Sequence, residues 1–255
     1  MIWVRSALFN AWFYGVTTVL VLSSLVPRIA TLDRPAEWPL RLAQTWARWV
    51  LAGLRVLCGI RWTVSGRDNL PPDGPMLIAS NHQSAFDTMI WLLLVPRPSY
   101  VVKRELLRVP LFGALCRLGG MIAVDRSAGA DAVRALLRAA DGAVRQRRQI
   151  VIFPEGTRVA PGVCRPLQPG VAALAARTGL PVIPVATDSG RYWGRRAFRK
   201  LPGVIHVAIG PPIPATVPRN ELMQRLERAI ADGQAAIAGA PARAAGPGWS
   251  RRQFW

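Results

Sequence analysis

Lysine is almost missing from this chain: Lys103 and Lys200 are the only two, so a formal net charge of +19 rests almost wholly on arginine. Acidic residues are few as well, 14 against 33 basic ones. That imbalance implies affinity for phosphates, anionic lipid or an acidic protein. Nucleic acid answers the same charge, yet no recognised nucleic-acid motif is present, and none is expected as a partner. Cysteine is scarce and poorly placed for pairing: Cys58, Cys116 and Cys164 are odd in number, widely spaced and without a C-x-x-C. This excludes a disulfide framework and a zinc site, and it favours a reducing compartment. Histidine occurs only at His82 and His206. No internal repeat is found.

What is abundant is apolar. Hydrophobic residues make up 51% of 255 residues, high for a soluble enzyme and enough for one large domain with an appendage. Ala7 to Val26 carries no charge over a length that can cross a bilayer, although Asn10, Gly15, Thr17, Thr18, Ser23 and Ser24 dilute it. It either spans the bilayer or lies in one leaflet. A secretory signal is a poor fit, because Arg28 stands where small residues precede cleavage. A second helical stretch is expected from Pro39 to Cys58, with Arg41, Arg48 and Arg55 in one stripe. Trp38, Trp46, Trp49 and Trp62 suit a lipid–water boundary. Residues 1–58 therefore read as a helical membrane anchor, 59–239 as a catalytic domain, and 240–255 as a disordered tail.

Beyond a turn cluster at 68–75, strands and helices alternate. Strands are expected at 76–80, 100–102, 121–124, 149–153, 180–187 and 204–209, with helices between them. Pro181 and Pro184 argue for an edge position or an irregular pairing of the fifth strand. The pattern predicts an α/β fold, with a mixed, largely buried sheet flanked by helices and preceded by the anchoring segment. In such folds functional residues gather in the turns beyond strand ends.

Four strand ends stand out. Asn81-His82-Gln83-Ser84 follows the first buried run, and Asp87 falls in the first turn of the next helix. An imidazole can take a proton near neutral pH, and a nearby carboxylate can fix its tautomer. Ser84-x-x-Asp87 also fits a capping box, in which the carboxylate only satisfies backbone N–H groups. Asn81 and Ser84 can shape the turn. Lys103-Arg104-Glu105 and Asp125-Arg126 close two other strands. Pro154-Glu155-Gly156-Thr157-Arg158 caps a fourth, and Arg126 and Arg158 are expected at neighbouring strand ends.

Taken together these motifs resemble the 1-acylglycerol-3-phosphate acyltransferases of the glycerolipid acyltransferase superfamily, over roughly residues 60 to 215. Asn81-His82 with Asp87 looks like the family's N-H-x-x-x-x-D motif. Lys103 to Leu106, Pro110, Gly113 and Gly119 through Arg126 look like its second block. Phe153 to Arg158 matches its third, and Leu180 to Val185 resembles its fourth. The resemblance implies that His82 and Asp87 are the catalytic pair, and that Lys103, Arg126, Glu155, Gly156, Thr157 and Arg158 bind the glycerol phosphate. Gly156 and Thr157 would bring backbone N–H groups to a phosphate or oxyanion, while Glu155 would alternatively position Arg158.

The implied reaction moves an acyl chain from acyl-CoA or acyl-carrier protein to the sn-2 hydroxyl of a lysophosphatidate, with no cofactor and no metal. An anionic membrane surface is the expected partner, with the catalytic domain on the cytoplasmic side of the cell's inner membrane. Another lyso-lipid, such as a lyso-ornithine lipid or a lysophospholipid, would suit the same chemistry. A non-catalytic basic membrane- or nucleic-acid-binding protein explains the charge but not the placement of His82 and Asp87.

Overall fold

A computed structural model describes residues 1–31, 37–125 and 128–239. Seven strands form one sheet: β1 (Ile60–Ser65), β2 (Met76–Ser80), β3 (Pro98–Lys103), β4 (Ile122–Val124), β5 (Gln149–Ile152), β6 (Val182–Thr187) and β7 (Gly203–Ile209). Their order is β1-β7-β6-β2-β5-β3-β4. The strands from β6 to β4 are mutually parallel, whereas β7 runs antiparallel to β6 and β1 parallel to β7. The C-terminal ends of β2 to β6 therefore share one edge with the beginnings of β1 and β7. β2 lies at the centre and every one of its residues is buried, as a parallel strand covered on both faces requires.

The helices are α1 (Ile2–Ser23), α2 (Leu25–Thr31), α3 (Trp38–Cys58), α4 (Phe86–Leu94), α5 (Phe112–Leu118), α6 (Gly129–Arg145), α7 (Gly170–Thr178) and α8 (Arg219–Gly239). One face of the sheet packs on α3 and α4 through Leu51, Leu54, Ile78, Phe86 and Met89, and the other on α6, α7 and α8 through Leu77, Leu136, Ile150, Leu174 and Leu226. The pattern of α3 explains its place: Val50, Leu51, Leu54 and Cys58 recur at helical spacing and are buried, while Arg41, Arg48 and Arg55 are exposed. Gly59 ends the helix at φ +69°.

α1 lies antiparallel on α3. Arg5 Nε donates to Leu57 O at 2.6 Å, Trp12 Nε1 to Trp49 O at 2.9 Å, and Trp46 Nε1 to Thr17 Oγ1 at 3.0 Å. The axes approach so closely at Gly53 that a Cβ there would fall 2.2 Å from the Trp12 ring. The first residues of α1 also meet the β6–β7 connection. Lys200, 3% exposed, donates its backbone N–H to Ser6 Oγ and its ammonium to Asn10 Oδ1 at 2.6 Å and Phe198 O at 2.9 Å. The rings of Phe9, Trp193 and Phe198 surround that ammonium at 5.5–5.6 Å, and burial lowers its pKa.

Three expectations are corrected. The strand at Ile60–Ser65 was not foreseen, and Trp62 within it packs on Phe86 at 6.0 Å, not at a lipid boundary. The strand bearing Pro184 is not at an edge, and of the two alternatives the irregular pairing is the one observed: the β6–β7 ladder stops at Val185–Ile209, and Val182 pairs separately with Ile213. Pro184 O accepts from Gly210 N, so its nitrogen also faces the β7 side, just beyond the last paired residue Ile209. The missing donor thus falls where that ladder has ended, while neighbouring Val185 serves β2 by accepting from Asn81 N. The third concerns Arg126 and Arg158: β3 lies between β4 and β5, so the two follow strands that are not neighbours. Arg126 and the 240–255 tail lie outside the described residues.

Candidate active site

The sheet edge where β2 and β5 end side by side brings the first and third motifs together. Asn81 is the pivot. Its Nδ2 donates to Thr187 O at 3.0 Å, and its Oδ1 accepts from Thr187 N at 2.7 Å. This buried amide clamps the turn after β2 to the end of β6. The next peptide is held from the β5 side: His82 N donates to Glu155 Oε2 at 2.6 Å, and His82 O accepts from Val159 N at 2.8 Å.

The imidazole is fixed as firmly as its backbone. Its ring stacks on Phe153, with centroids 4.0 Å apart and planes 18° from parallel. Its Nδ1 lies 3.0 Å from Asp87 Oδ2. The same oxygen accepts from Gln83 N at 2.7 Å and Ser84 N at 2.8 Å, and Ser84 Oγ accepts from Phe86 N. The capping and histidine-orienting readings of Asp87 are therefore one arrangement. The carboxylate is 1% exposed and the imidazole 12%. With Nδ1 directed at the carboxylate, the lone pair of the neutral ring resides on Nε2.

Glu155 serves His82, not Arg158. It is 8% exposed, and burial pushes its pKa up from 4.5 to about 7. The bond from His82 N–H opposes that rise, the charge of Asp87 adds to it, and Arg165 opposes it. Gly156 stands at φ +72° and gives its N–H to Phe153 O at 3.0 Å, so that donor is committed to the turn and not presented to a phosphate. Thr157 and Arg158 are half-buried beside it. Burial lowers the Arg158 pKa, Asp87 opposes that, and Arg195 adds to it. Arg158 and Arg165 also line one pocket with Val159, Ala160, Val163 and Cys164. Lys103 is exposed at the end of β3, and its neighbour Arg104 pairs with Asp125 at 3.4 Å.

Several site residues escaped the sequence reading. Phe153 opens the third family block in the sequence, but no contact with His82 is legible there. Gln83, which is buried and accepts from Gly190 N at 3.1 Å, ties the turn to the β6–β7 connection. Arg165 opens a stretch, Arg165 to Gly170, that reads as a counterpart to a substrate loop, and Arg195 belongs to the basic, aromatic loop Arg191–Arg196; neither is assigned a role by the sequence. The buried cysteines do not compete as nucleophiles: burial raises both thiol pKa values, that of Cys116 to about 11.

The acyltransferase family model matches residues 61–188. The chain is 39% identical over 200 residues to the 1-acyl-sn-glycerol-3-phosphate acyltransferase of Pseudomonas aeruginosa, covering 77% of each chain. It is 31% identical over 213 residues to the Homo sapiens 1-acyl-sn-glycerol-3-phosphate acyltransferase alpha, covering 82% of this chain and 71% of that one. Its fold matches the crystal structure of the 1-acyl-sn-glycerophosphate acyltransferase of Thermotoga maritima with a TM-score of 0.77, at 22% identity, over 95% of this chain and 100% of that one.

Proposed function

The chain belongs to the acyltransferase family and is an acyltransferase, and from that premise we propose that it acylates the sn-2 hydroxyl of 1-acylglycerol-3-phosphate, giving phosphatidate. The observation that carries the mechanism is the 3.0 Å contact between His82 Nδ1 and Asp87 Oδ2. Asp87 holds the Nδ1–H tautomer, so Nε2 is the base. Nε2 takes the hydroxyl proton as the acceptor oxygen attacks the thioester carbonyl carbon. The C–S bond then breaks, and the departing sulfur takes the proton from the imidazolium. Phe153 fixes the plane of the ring, and Glu155 fixes the peptide that carries it. No acyl-enzyme is formed. Arg158 grips the acceptor phosphate, with Lys103 and Arg126 as further cationic contacts. The donor is acyl-CoA or acyl-carrier protein, and neither a cofactor nor a metal takes part.

The acceptor keeps its acyl chain in a bilayer, and the N-terminal helices support attachment there. The run Ile2–Ile29 is long and apolar enough to cross a membrane by length and composition. Trp3, Leu8, Val19, Leu22, Val26 and Ile29 are exposed on it. Arg41, Arg48 and Arg55 are exposed on α3, suited to anionic headgroups at about 1 kcal/mol each near the surface. The protein sits at the inner membrane with its catalytic side facing the cytoplasm, the compartment in which the thioester donors of this family are made.

The test is thioester consumption by the purified protein, with and without lysophosphatidate and with each donor. His82→Ala is expected to abolish acceptor-dependent turnover without unfolding the chain. A variant that kept most of the wild-type rate would refute the mechanism.

A further inference from the structure

Leu106, Val109 and Phe112 are 40%, 45% and 44% exposed, three large apolar side chains within seven residues of one loop. They follow β3 at the same sheet edge as His82. Leu106 lies in the 3-10 turn Arg104–Arg108, Val109 is the extended residue that ends it, and Phe112 opens α5. The loop is rigidly built. Leu111 has φ 60° and ψ −51°, and Phe112 N donates to Pro110 O at 2.6 Å, a γ-turn of the rare, strained kind. Gly113 allows the close approach behind it, since a Cβ there would fall 2.0 Å from Leu107 O. A strained turn braced from within thus leaves its apolar side chains in the open. Lys103, Arg104 and Arg108 are exposed around them, and Glu105 is the only acid from 103 to 112.

A second patch of the same character lies across the site. The β6–β7 connection exposes Phe198 (46%) and Leu201 (40%) among exposed Arg195, Arg196 and Arg199. Trp3, at the start of α1, stacks on Phe198 at 5.5 Å. In the sheet, β3 stands two places to one side of β2, and β6 and β7 stand to the other. The His82 turn therefore lies between two loops that each mix guanidinium groups with exposed apolar side chains. Singly exposed apolar residues need no explanation, but a spaced set within a basic loop does. Its chemistry fits an anionic bilayer, with apolar groups entering the acyl boundary and arginines meeting phosphates.

Resting on the function proposed above, we propose that the Lys103–Phe112 loop is a second lipid-contacting element, opposite α1, that seats the His82 site on an anionic bilayer. The sn-2 hydroxyl then reaches Nε2 while the acceptor's acyl chain stays among the lipids.

The experiment uses the full chain in nanodiscs of phosphatidylcholine and phosphatidylglycerol. Phe112→p-benzoyl-phenylalanine is expected to give a lipid adduct on irradiation, and Arg134→p-benzoyl-phenylalanine, on exposed α6, none. The double variant Val109→Ser with Phe112→Ser is expected to lose about tenfold in kcat/KM for acceptor in these discs, roughly the worth of two half-exposed apolar side chains. On acceptor dispersed in neutral micelles it should stay within about twofold of the wild type. Absence of a lipid adduct at position 112, or an adduct to a second copy of the chain, would overturn the inference. So would equal losses on discs and micelles. A wild-type protein that acylated no lysophosphatidate in either form would sink the functional reading instead, and the adduct would still report on the loop.

Discussion

Replacing Glu155 by glutamine tests the electrostatics of the site through stability. The glutamine carbonyl can still accept the 2.6 Å bond from His82 N, so the turn keeps its hold while the titrating group is lost. In the native protein burial raises the Glu155 pKa from 4.5 to about 7. A raised folded-state value means that the folded protein binds more protons than the unfolded chain between those limits. The stability it contributes is complete below pH 4.5 and is lost as pH rises through 7. Integrating the two titrations from pH 5 to pH 8 gives a loss of about 2.5 kcal/mol. For a chain of this size that corresponds to roughly 5–10 °C in Tm. Other groups titrate in the same window, so the informative quantity is the difference between two proteins. Thermal melts of wild type and Glu155→Gln at pH 5 and pH 8, at one scan rate in one detergent, should show the wild type losing more by that amount. If the variant's Tm fell by as much as the wild type's, Glu155 would not be the buried acid described here.

Asp87→Asn should lower the single-turnover rate by about 10³–10⁴-fold, because the imidazole loses its tautomer and its charge partner. An unchanged circular dichroism spectrum would confirm that the loss is chemical, and a rate within tenfold of wild type would refute the role. Arg158→Ala should raise KM for lysophosphatidate about 10- to 150-fold, the range for losing a charged hydrogen bond, with little change in KM for the donor. Equal increases for both substrates would make Arg158 structural. Asn81→Ala strands the buried N–H and C=O of Thr187 and should cost about 2–4 kcal/mol in denaturant unfolding. A loss under about 1 kcal/mol would mean that the β6 end holds the turn without it.

The β2–turn–α4 unit was legible because an apolar run buried on both faces ends abruptly at Asn81, and that contrast is local. β1 alternates as clearly as any strand, with Ile60, Trp62 and Val64 inward. Its partner β7 lies some 140 residues away, so no turn nearby announced the pairing. Pro184 misled for a related reason: the rule against proline inside sheets is about donors, and whether a donor is needed depends on where the partner strand stops. Arg158, the alternative partner expected for Glu155, is three residues away along the chain. The true partner of Glu155, the His82 peptide, is 73 residues away and becomes adjacent only through the β2–β5 register. Residue types with a chemical role were visible from the chain, and which of them touch was set by strand order.

Lys200 and Asn10 meet across 190 residues. α1 is made before the β6–β7 connection, whose ammonium and rings at Lys200, Trp193 and Phe198 receive its opening turns. At synthesis rates of roughly 5–20 residues per second, α1 exists for about 10 to 40 s before that berth is available. For this interval Ser6 and Asn10 lack their Lys200 partner and Phe9 lacks Trp193. The order of synthesis thus leaves the first turns of the helix open to other surroundings, lipid among them, until the β6–β7 connection is made.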